Sequence, residues 1–246
     1  MANHPILPNH RPLAIAHRSG NSIATAREAA ASGFDMIETD VWPFWGKLQV
    51  RHAKSIGPIP IYWEKWYIES FFGHQLELHE LVQGLPPNTP LFLDLKGTQS
   101  KIGQNVVRAV EKIQQDRQII LCGRAWSQLD PVETLPNVHV FYSVGDENQL
   151  EQVWERIAAQ QNPAVSINHG LLNEETMARF NQHNTTVIAW TVNDPGTAHA
   201  LFDLGVDGFT SDNQEMLSRI VELREHAFDA IAKSDLPDDP EPEGED

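Results

Sequence analysis

Short apolar runs alternate with amphipathic stretches along most of this chain, and the two periods separate cleanly. Apolar runs recur at 13–16, 36–41, 91–95, 119–122, 138–144, 164–168, 187–192 and 208–211. Between them, over 24–32, 100–115, 149–160, 174–183, 195–204 and 214–232, apolar positions return at the spacing of a helix with one buried face. The order strand, helix, strand, helix predicts a parallel sheet with helices packed outside it. Eight strands is the number that closes a barrel, so the expected fold class is α/β, a TIM (β/α)8 barrel. The connection at 126–135 is the weakest, because Pro131 permits only a short or interrupted helix there.

Two neighbouring segments break the alternation. Trp42-Pro-Phe-Trp-Gly46 reads as a turn leading into 48–51, which predicts an extra hairpin strand after strand two. The stretch that follows, 56–73, is rich in proline and aromatics, with Tyr62, Trp63, Trp66, Tyr67, Phe71 and Phe72. It forms either a lid over the barrel mouth or a cap packed on the barrel end. Aromatic clusters mostly belong to cores, which favours the cap. The expected organisation is therefore an entry segment at 1–12, one barrel domain at 13–234 carrying this small insertion, and a tail at 235–246.

Composition sharpens that picture. A chain of 246 residues with 41% hydrophobic content can bury one sizeable core. The formal charge of -16 argues against nucleic acid and anionic membrane surfaces as partners, since phosphate backbones call for clustered Lys and Arg. Part of that charge sits in Asp235-Leu-Pro-Asp-Asp-Pro-Glu-Pro-Glu-Gly-Glu-Asp246, which has too little apolar surface to fold and reads as a disordered solvating tail. No apolar run approaches the length of a bilayer span, and the first residues lack a charged region followed by an apolar one. Cys122 is the lone cysteine, so no intrachain disulfide can form; a cytoplasmic protein without a transmembrane segment is expected. Within Ile119-Ile-Leu-Cys122 that thiol reads as a small core residue.

The candidate chemistry centres on strand two, Met36-Ile-Glu-Thr-Asp-Val41, whose Glu38 and Asp40 lie one residue apart and so point to the same face. Alone, such a pair is as readily a polar strand end as a metal site. Other strands end in the same manner: His17 after the first, His52 after the hairpin strand, and Asp94 with Lys96 in Leu91-Phe-Leu-Asp-Leu-Lys96. In a barrel, residues ending different strands converge on one mouth. Three carboxylates, Glu38, Asp40 and Asp94, suit a hard cation with oxygen ligands, Mg2+ or Ca2+, whereas zinc would call for a set of His and Cys. His17 and His52 beside such an ion are a natural acid and base, and Arg18 with Lys96 would hold an anionic group. A phosphodiester fits this set. Asn168, His169, Arg124, Trp126, Asp212 and Asn213 also follow strands, but read first as turn and helix caps. His74, His79, Glu77 and Glu80 read as surface residues.

Six motifs in order also carry a resemblance: His17-Arg18, Ile37-Glu-Thr-Asp40, His52, Leu93-Asp-Leu-Lys96, Ala189-Trp-Thr-Val-Asn193 and Gly205-Val-Asp-Gly208. From 13 to 213 the chain resembles the glycerophosphodiester phosphodiesterase family. The resemblance implies a TIM barrel, a divalent metal on Glu38, Asp40 and the third-strand carboxylate, His17 and His52 as catalytic acid and base, and Trp190 lining the substrate pocket. It departs from the family in its first loop, His17-Arg-Ser-Gly-Asn-Ser22, which lacks the usual Pro-Glu. Asp94 stands where the family has Glu, and Ala53 where it has Asp. The short loop and the Leu-Asp-Leu-Lys motif are similar to the phospholipase D toxins of spiders and their bacterial relatives, which implies a cyclising alternative. A barrel that has lost catalysis and only binds phosphorylated ligands is a further alternative. The expected substrate is a glycerophosphodiester or a lysophospholipid-type diester.

Overall fold

The structure is a computed structural model, and it describes residues 12–56, 59–64, 67–69, 75–115 and 117–222, with side chains described outside 55–74. The first strand, β1 (Leu13–Ala16), leads through a short turn into α1 (Ile23–Ala31) and then β2 (Met36–Phe44). After β2 come β3 (Lys47–Val50) and the short strands β4 (Lys54–Ile56), β5 (Ile59–Glu64) and β6 (Tyr67–Glu69). The regular alternation then resumes with α2 (Leu78–Gly84), β7 (Leu91–Leu95), α3 (Ile102–Glu111), β8 (Ile119–Gly123), β9 (Val138–Val144) and α4 (Glu147–Ala158). It finishes with β10 (Ala164–Asn168), α5 (Glu174–Gln182), β11 (Thr186–Trp190), α6 (Pro195–Asp203), β12 (Gly208–Ser211) and α7 (Gln214–Glu222).

Strand pairing closes the barrel. The parallel order β1-β12-β11-β10-β9-β8-β7-β2 returns on itself through pairing of β1 with β2. The eight runs expected from hydrophobicity are these eight strands, and 126–135 holds only a 3-10 turn, Trp126–Gln128, as Pro131 requires. Alternate residues of each strand divide between two cores. Leu13, Ile15, Met36, Phe92, Ile120, Phe141 and Ile188 fill the barrel, with Phe92 and Phe141 edge to face at 5.2 Å between centroids. Their neighbours Ile37, Leu93, Leu121, Val165 and Val187 face outward and pack with the helix residues Val106, Val110, Phe180 and Leu217.

The hairpin forms as expected, with its turn shorter than the sequence suggests. Trp42, Pro43 and Phe44 continue β2, and β3 pairs antiparallel with it from Val41 and Val50 out to Phe44 and Lys47. Only Trp45 and Gly46 turn, both at positive φ (47° and 80°), the geometry that matches the twist of a two-residue hairpin. The aromatic segment supplies β4, β5 and β6, a separate antiparallel sheet. Whether its side chains act as lid or cap lies outside the described residues, as do most of the entry segment and the acidic tail.

At the opposite end of the barrel from the mouth, one device recurs. Gly33 (φ 73°) and Gly205 (φ 98°) end helical segments in the left-handed conformation that glycine permits, and an aspartate follows two residues later. Asp35 accepts the amide of Ala14 and Asp207 that of Val187, each at 2.7 Å, so each carboxylate ties its loop to a barrel strand. Burial pushes the Asp207 carboxyl up to about 6, against the Val187 hydrogen bond, which favours the anion. A carboxyl raised in the folded state favours folding below its unfolded pKa, and that contribution is lost as pH rises through about 6. Asp207→Asn keeps an acceptor without the charge. It should leave the melting temperature nearly unchanged at pH 4 and raise stability above pH 6 by on the order of 2 kcal/mol. Thermal melts of both proteins across that range check this, and equal stability at pH 7.5 would refute it.

Candidate active site

The mouth is assembled from the ends of strands, and the turn after β1 places the first parts. Arg18 takes a left-handed conformation (φ 54°), uncommon for a residue with a β-carbon, and its amide donates to Oε2 of Glu38 at 2.6 Å. Gly20 lies against β2 so closely that a β-carbon there would stand 2.5 Å from Cβ of Thr39. Asn21 can then reach over the strand: its Nδ2 donates to Oδ2 of Asp40 at 2.8 Å, and its Oδ1 accepts from Thr39 Oγ1 at 2.8 Å and the Asp40 amide at 3.0 Å. The shortened loop thus braces a carboxylate of strand β2, a role the sequence reading did not give Asn21.

Register between β2 and β7 sets Asp40 opposite Asp94, and Glu38 lies two residues back on the same face. One carboxylate oxygen from each of Glu38, Asp40 and Asp94 lies within 4.8 Å of the other two. Lys96, two residues beyond Asp94, bonds to Asp40 Oδ1 at 2.8 Å and to Asp94 Oδ2. Burial, reinforced by the charges of Asp40 and Asp94, pushes the Glu38 carboxyl well above the usual carboxylate range. Burial also raises Asp94, despite Lys96. At Asp40 burial is outweighed by the charge and hydrogen bond of Lys96 and the bond from Asn21, so its carboxyl is held low. The Lys96 ammonium, whose burial alone would depress its pKa, is raised by Asp94, Asp40 and Glu38. Three carboxylates thus face one ammonium, and Oδ1 of Asp94 is buried with no hydrogen-bond partner among the described residues. Carboxyls driven toward their neutral forms by burial and by one another are what a hard cation would return to the ionised state, and these three residues can hold one.

Two histidines line the same cavity as this cluster. His17 follows β1, and its Nδ1 lies 2.7 Å from Oδ1 of Asp212, just beyond β12. Asp212 is fixed in turn by Asn193, whose Nδ2 donates to Oδ2 at 3.2 Å and whose Oδ1 accepts the Asp212 amide at 2.8 Å. Ser211 Oγ also donates to Asn193 Oδ1, at 3.0 Å. Burial holds the His17 imidazole below its ordinary pKa, with Asp212 acting in the opposite sense. Asp212 itself, which burial would raise, is brought below the usual value by His17 and Asn193. His52 follows β3, which the hairpin folds back beside Asp40, and its charge is among those that lower the Asp40 carboxyl.

All eight residues singled out from sequence line one cavity of about 260 Å³: His17, Arg18, Glu38, Asp40, His52, Asp94, Lys96 and Trp190. The remaining wall comes from Phe92, Cys122, Arg124, Ser143, Ser166, Thr191 and Thr210. Ser143, Ser166 and Thr210 escaped the sequence reading because a small hydroxyl inside an apolar strand looks like core; their signal is the inward parity they share with Phe141, Ala164 and Gly208. Asp212 was expected to cap the last helix. Asn213 does that instead, accepting from the Met216 amide at 3.0 Å, and frees Asp212 for His17. Asn168 caps its turn as expected, through Gly170 at 3.0 Å. Glu77 and Glu80 do more than face solvent: they form the capping box of α2. His74 lies outside the described residues.

A closed parallel barrel whose mouth carries clustered carboxylates, two histidines and basic groups defines a class of phosphoryl-handling hydrolases. Residues 87–216, more than half of the chain, match the glycerophosphoryl diester phosphodiesterase family. The chain belongs to that family and is a phosphoric diester hydrolase of the glycerophosphodiester phosphodiesterase kind. No curated protein matches it significantly. Among solved structures, a Silicibacter pomeroyi protein designated a glycerophosphoryl diester phosphodiesterase superposes with a TM-score of 0.73 at 15% identity, covering 91% of this chain and 97% of that one. A Thermotoga maritima glycerophosphodiester phosphodiesterase gives 0.65 at 18%, covering 87% and 100%. An Oleispira antarctica phosphodiesterase in complex with the product sn-glycerol-3-phosphate gives 0.66 at 17%, covering 86% and 97%. At these identities the likeness is one of fold. Among the described residues, no helix is long and apolar enough to cross a membrane.

Proposed function

We propose that the chain is a divalent-cation-dependent phosphodiesterase that hydrolyses glycerophosphodiesters, with lysophospholipid-type diesters as larger members of its substrate class. The observation that carries this reading is the meeting of three carboxylates, two histidines and Arg18 on the wall of one cavity. Glu38, Asp40 and Asp94 would hold the cation, and their all-oxygen donor set favours Mg2+, with Ca2+ as the alternative. When bound, such an ion supplies Lewis-acid polarisation of a phosphoryl oxygen. Lys96 ties β2 to β7 through Asp40 and Asp94 and brings positive charge to the place where a phosphate would sit. Arg18, its backbone clamped to Glu38, offers a planar fork to the phosphate oxygens.

Proton transfer falls to the histidines. A bond forms between the attacking hydroxyl oxygen and phosphorus as the bond from phosphorus to the departing alcohol breaks. One histidine takes the proton of the attacking oxygen, and the other gives a proton to the leaving oxygen. His17 is oriented for this by Asp212, which occupies Nδ1 and leaves Nε2 as the nitrogen that exchanges a proton with substrate. Trp190 provides an apolar wall for the alcohol part. The lone, buried Cys122 suits a reducing compartment, and we place the protein in the cytoplasm on that basis.

Phosphorus NMR of glycerophosphocholine, lysophosphatidylcholine and sphingomyelin, each incubated with protein and Mg2+, tests the reading. Direct appearance of a monoester, chiefly from glycerophosphocholine, is the expected result; sn-glycerol-3-phosphate is the product held by the Oleispira antarctica neighbour. A cyclic phosphate that accumulates and persists would mean attack by the substrate's own hydroxyl, as in the phospholipase D-like alternative. Binding without turnover of any of the three would leave a phosphate-binding barrel.

A further inference from the structure

The half of the cavity wall away from the carboxylates is chemically lopsided. Among the described residues, the carboxylates that line the cavity stand on β2 and β7, while the wall from β8 round to β11 carries Cys122, Ser143, Ser166 and Trp190 together with one charged group, Arg124. That guanidinium is held in a prepared seat. Its Nη2 donates to Asp146 Oδ2 at 2.7 Å and to Gln149 Oε1 at 3.0 Å, and its Nε donates to the same Gln149 oxygen at 3.1 Å. Gln149 Nε2 donates back to the Arg124 carbonyl at 3.1 Å, and the Gly145 amide donates to Gln149 Oε1 at 2.9 Å. Beneath the guanidinium lies Gly145, where a β-carbon would come within 2.5 Å of Arg124 Cζ. Locking Nε and Nη2 on one edge fixes the plane of the group. Its remaining nitrogen, Nη1, makes no hydrogen bond among the described residues, and the side chain is 54% exposed.

We propose that Arg124 is a specificity-determining residue that reads an oxyanion on the substituent beyond the reacting phosphorus, so that the enzyme prefers diesters whose alcohol carries a carboxylate over those whose alcohol is only cationic. This rests on the phosphodiesterase reading of the same cavity. Arg18, Lys96 and Arg124 line the same cavity, so one of the two alcohol substituents of a phosphate held beside Lys96 and Arg18 would extend along the wall where Arg124 stands. Lys96 is committed to Asp40 and Asp94 on both sides, whereas Arg124 is paired with Asp146 through Nη2 alone and keeps Nη1 for a ligand on this side of the cavity. A guanidinium with one edge already oriented loses little freedom on pairing with a carboxylate, and such charge-assisted bonds are the stronger ones. A quaternary ammonium on the same wall would meet a like charge and, among the described residues, one aromatic ring, Trp190.

The matched pair sn-glycero-3-phosphoserine and sn-glycero-3-phosphoethanolamine isolates the effect, because the two esters differ by one carboxylate. The ratio of their kcat/KM values in the Mg2+-supplemented wild type should favour the serine ester by about tenfold, the scale of one charge-assisted hydrogen bond. Arg124→Ala and Arg124→Gln should bring that ratio close to one, chiefly by raising KM for the serine ester. Gly145→Ala, which pushes the guanidinium off its seat while leaving its charge, should lower the ratio part of the way. A wild-type ratio at or below one overturns the inference, as does an equal loss on both esters in the Arg124 variants. Bis(p-nitrophenyl) phosphate serves as the reporter without a head group. Turnover of it together with a flat ratio means that the specificity inference alone has failed, whereas no turnover of it or of either ester means that the phosphodiesterase reading has failed and this inference with it.

Discussion

Exchange of His17 for alanine should lower kcat for glycerophosphodiester hydrolysis by about 10²–10⁴-fold while leaving the fold intact, the usual scale for loss of a general acid or base. The side chain sits just beyond β1 on the cavity wall, and its Nδ1 is tied to Asp212, so its removal takes away a proton carrier without opening the barrel core. His52→Ala should give a loss of similar size, because the two histidines serve the two ends of one proton transfer. Burial holds the His17 imidazole below its ordinary pKa, so His17 stays neutral from pH 7 upward, and activity should fall on the acid side as it takes up a proton. The apparent pKa values of a bell-shaped profile would belong to the coupled pair. Asp212→Ala should shift the acid limb further down, since the carboxylate that favours the imidazolium is gone. Near-normal kcat in either His variant, with native circular dichroism, would contradict the assignment.

A second large effect is expected at Asp40, the centre of the carboxylate cluster. It faces Asp94 across the β2–β7 register, bonds to Lys96 and is held by Asn21. Asp40→Asn keeps the size of the side chain and an acceptor for Asn21, and removes one of three negative charges. Activity should fall by about 10³-fold or more, because the variant loses the electrostatic hold on a hard cation. The rise in melting temperature that Mg2+ gives the wild type should disappear in the same variant, since a ligand stabilises only the protein that binds it. Persistence of that rise would place the ion elsewhere.

Much of this was legible from the amino-acid sequence, for reasons that differ from part to part. The eight strands follow from apolar runs short enough to be strands and separated by helical periodicity, and the structure begins and ends them within about two residues of those runs, except that β2 runs on to Phe44. Glu38 and Asp40, and Asp94 and Lys96, were readable because a two-residue spacing in a strand fixes a shared face before any fold is known. The bracket formed by Asn193, Asp212 and His17 was not. It joins the ends of β11 and β12 to the end of β1, and only closure of the barrel through β1 and β12 brings those positions together. Asn21 was obscured in another way: its function depends on Gly20 approaching β2 without a β-carbon, and a glycine in a loop carries no sign of what lies beneath it. Arg124 looked like a turn residue because its partners, Asp146 and Gln149, belong to the start of α4, one strand away. Hydrophobic periodicity therefore gives the frame and the inward carboxylates, while the supports that cross between strands appear only in three dimensions.

Glu38, Asp40 and Asp94 are proposed to hold a divalent cation on which hydrolysis depends. The most direct measurement is the rate of glycerophosphocholine cleavage by protein stripped with a chelator, then dialysed free of it and titrated with Mg2+. Loss of turnover after stripping, and its return on titration in the wild type but not in Asp40→Asn, is the predicted result. Full activity in the stripped protein, unchanged by added Mg2+, would contradict it.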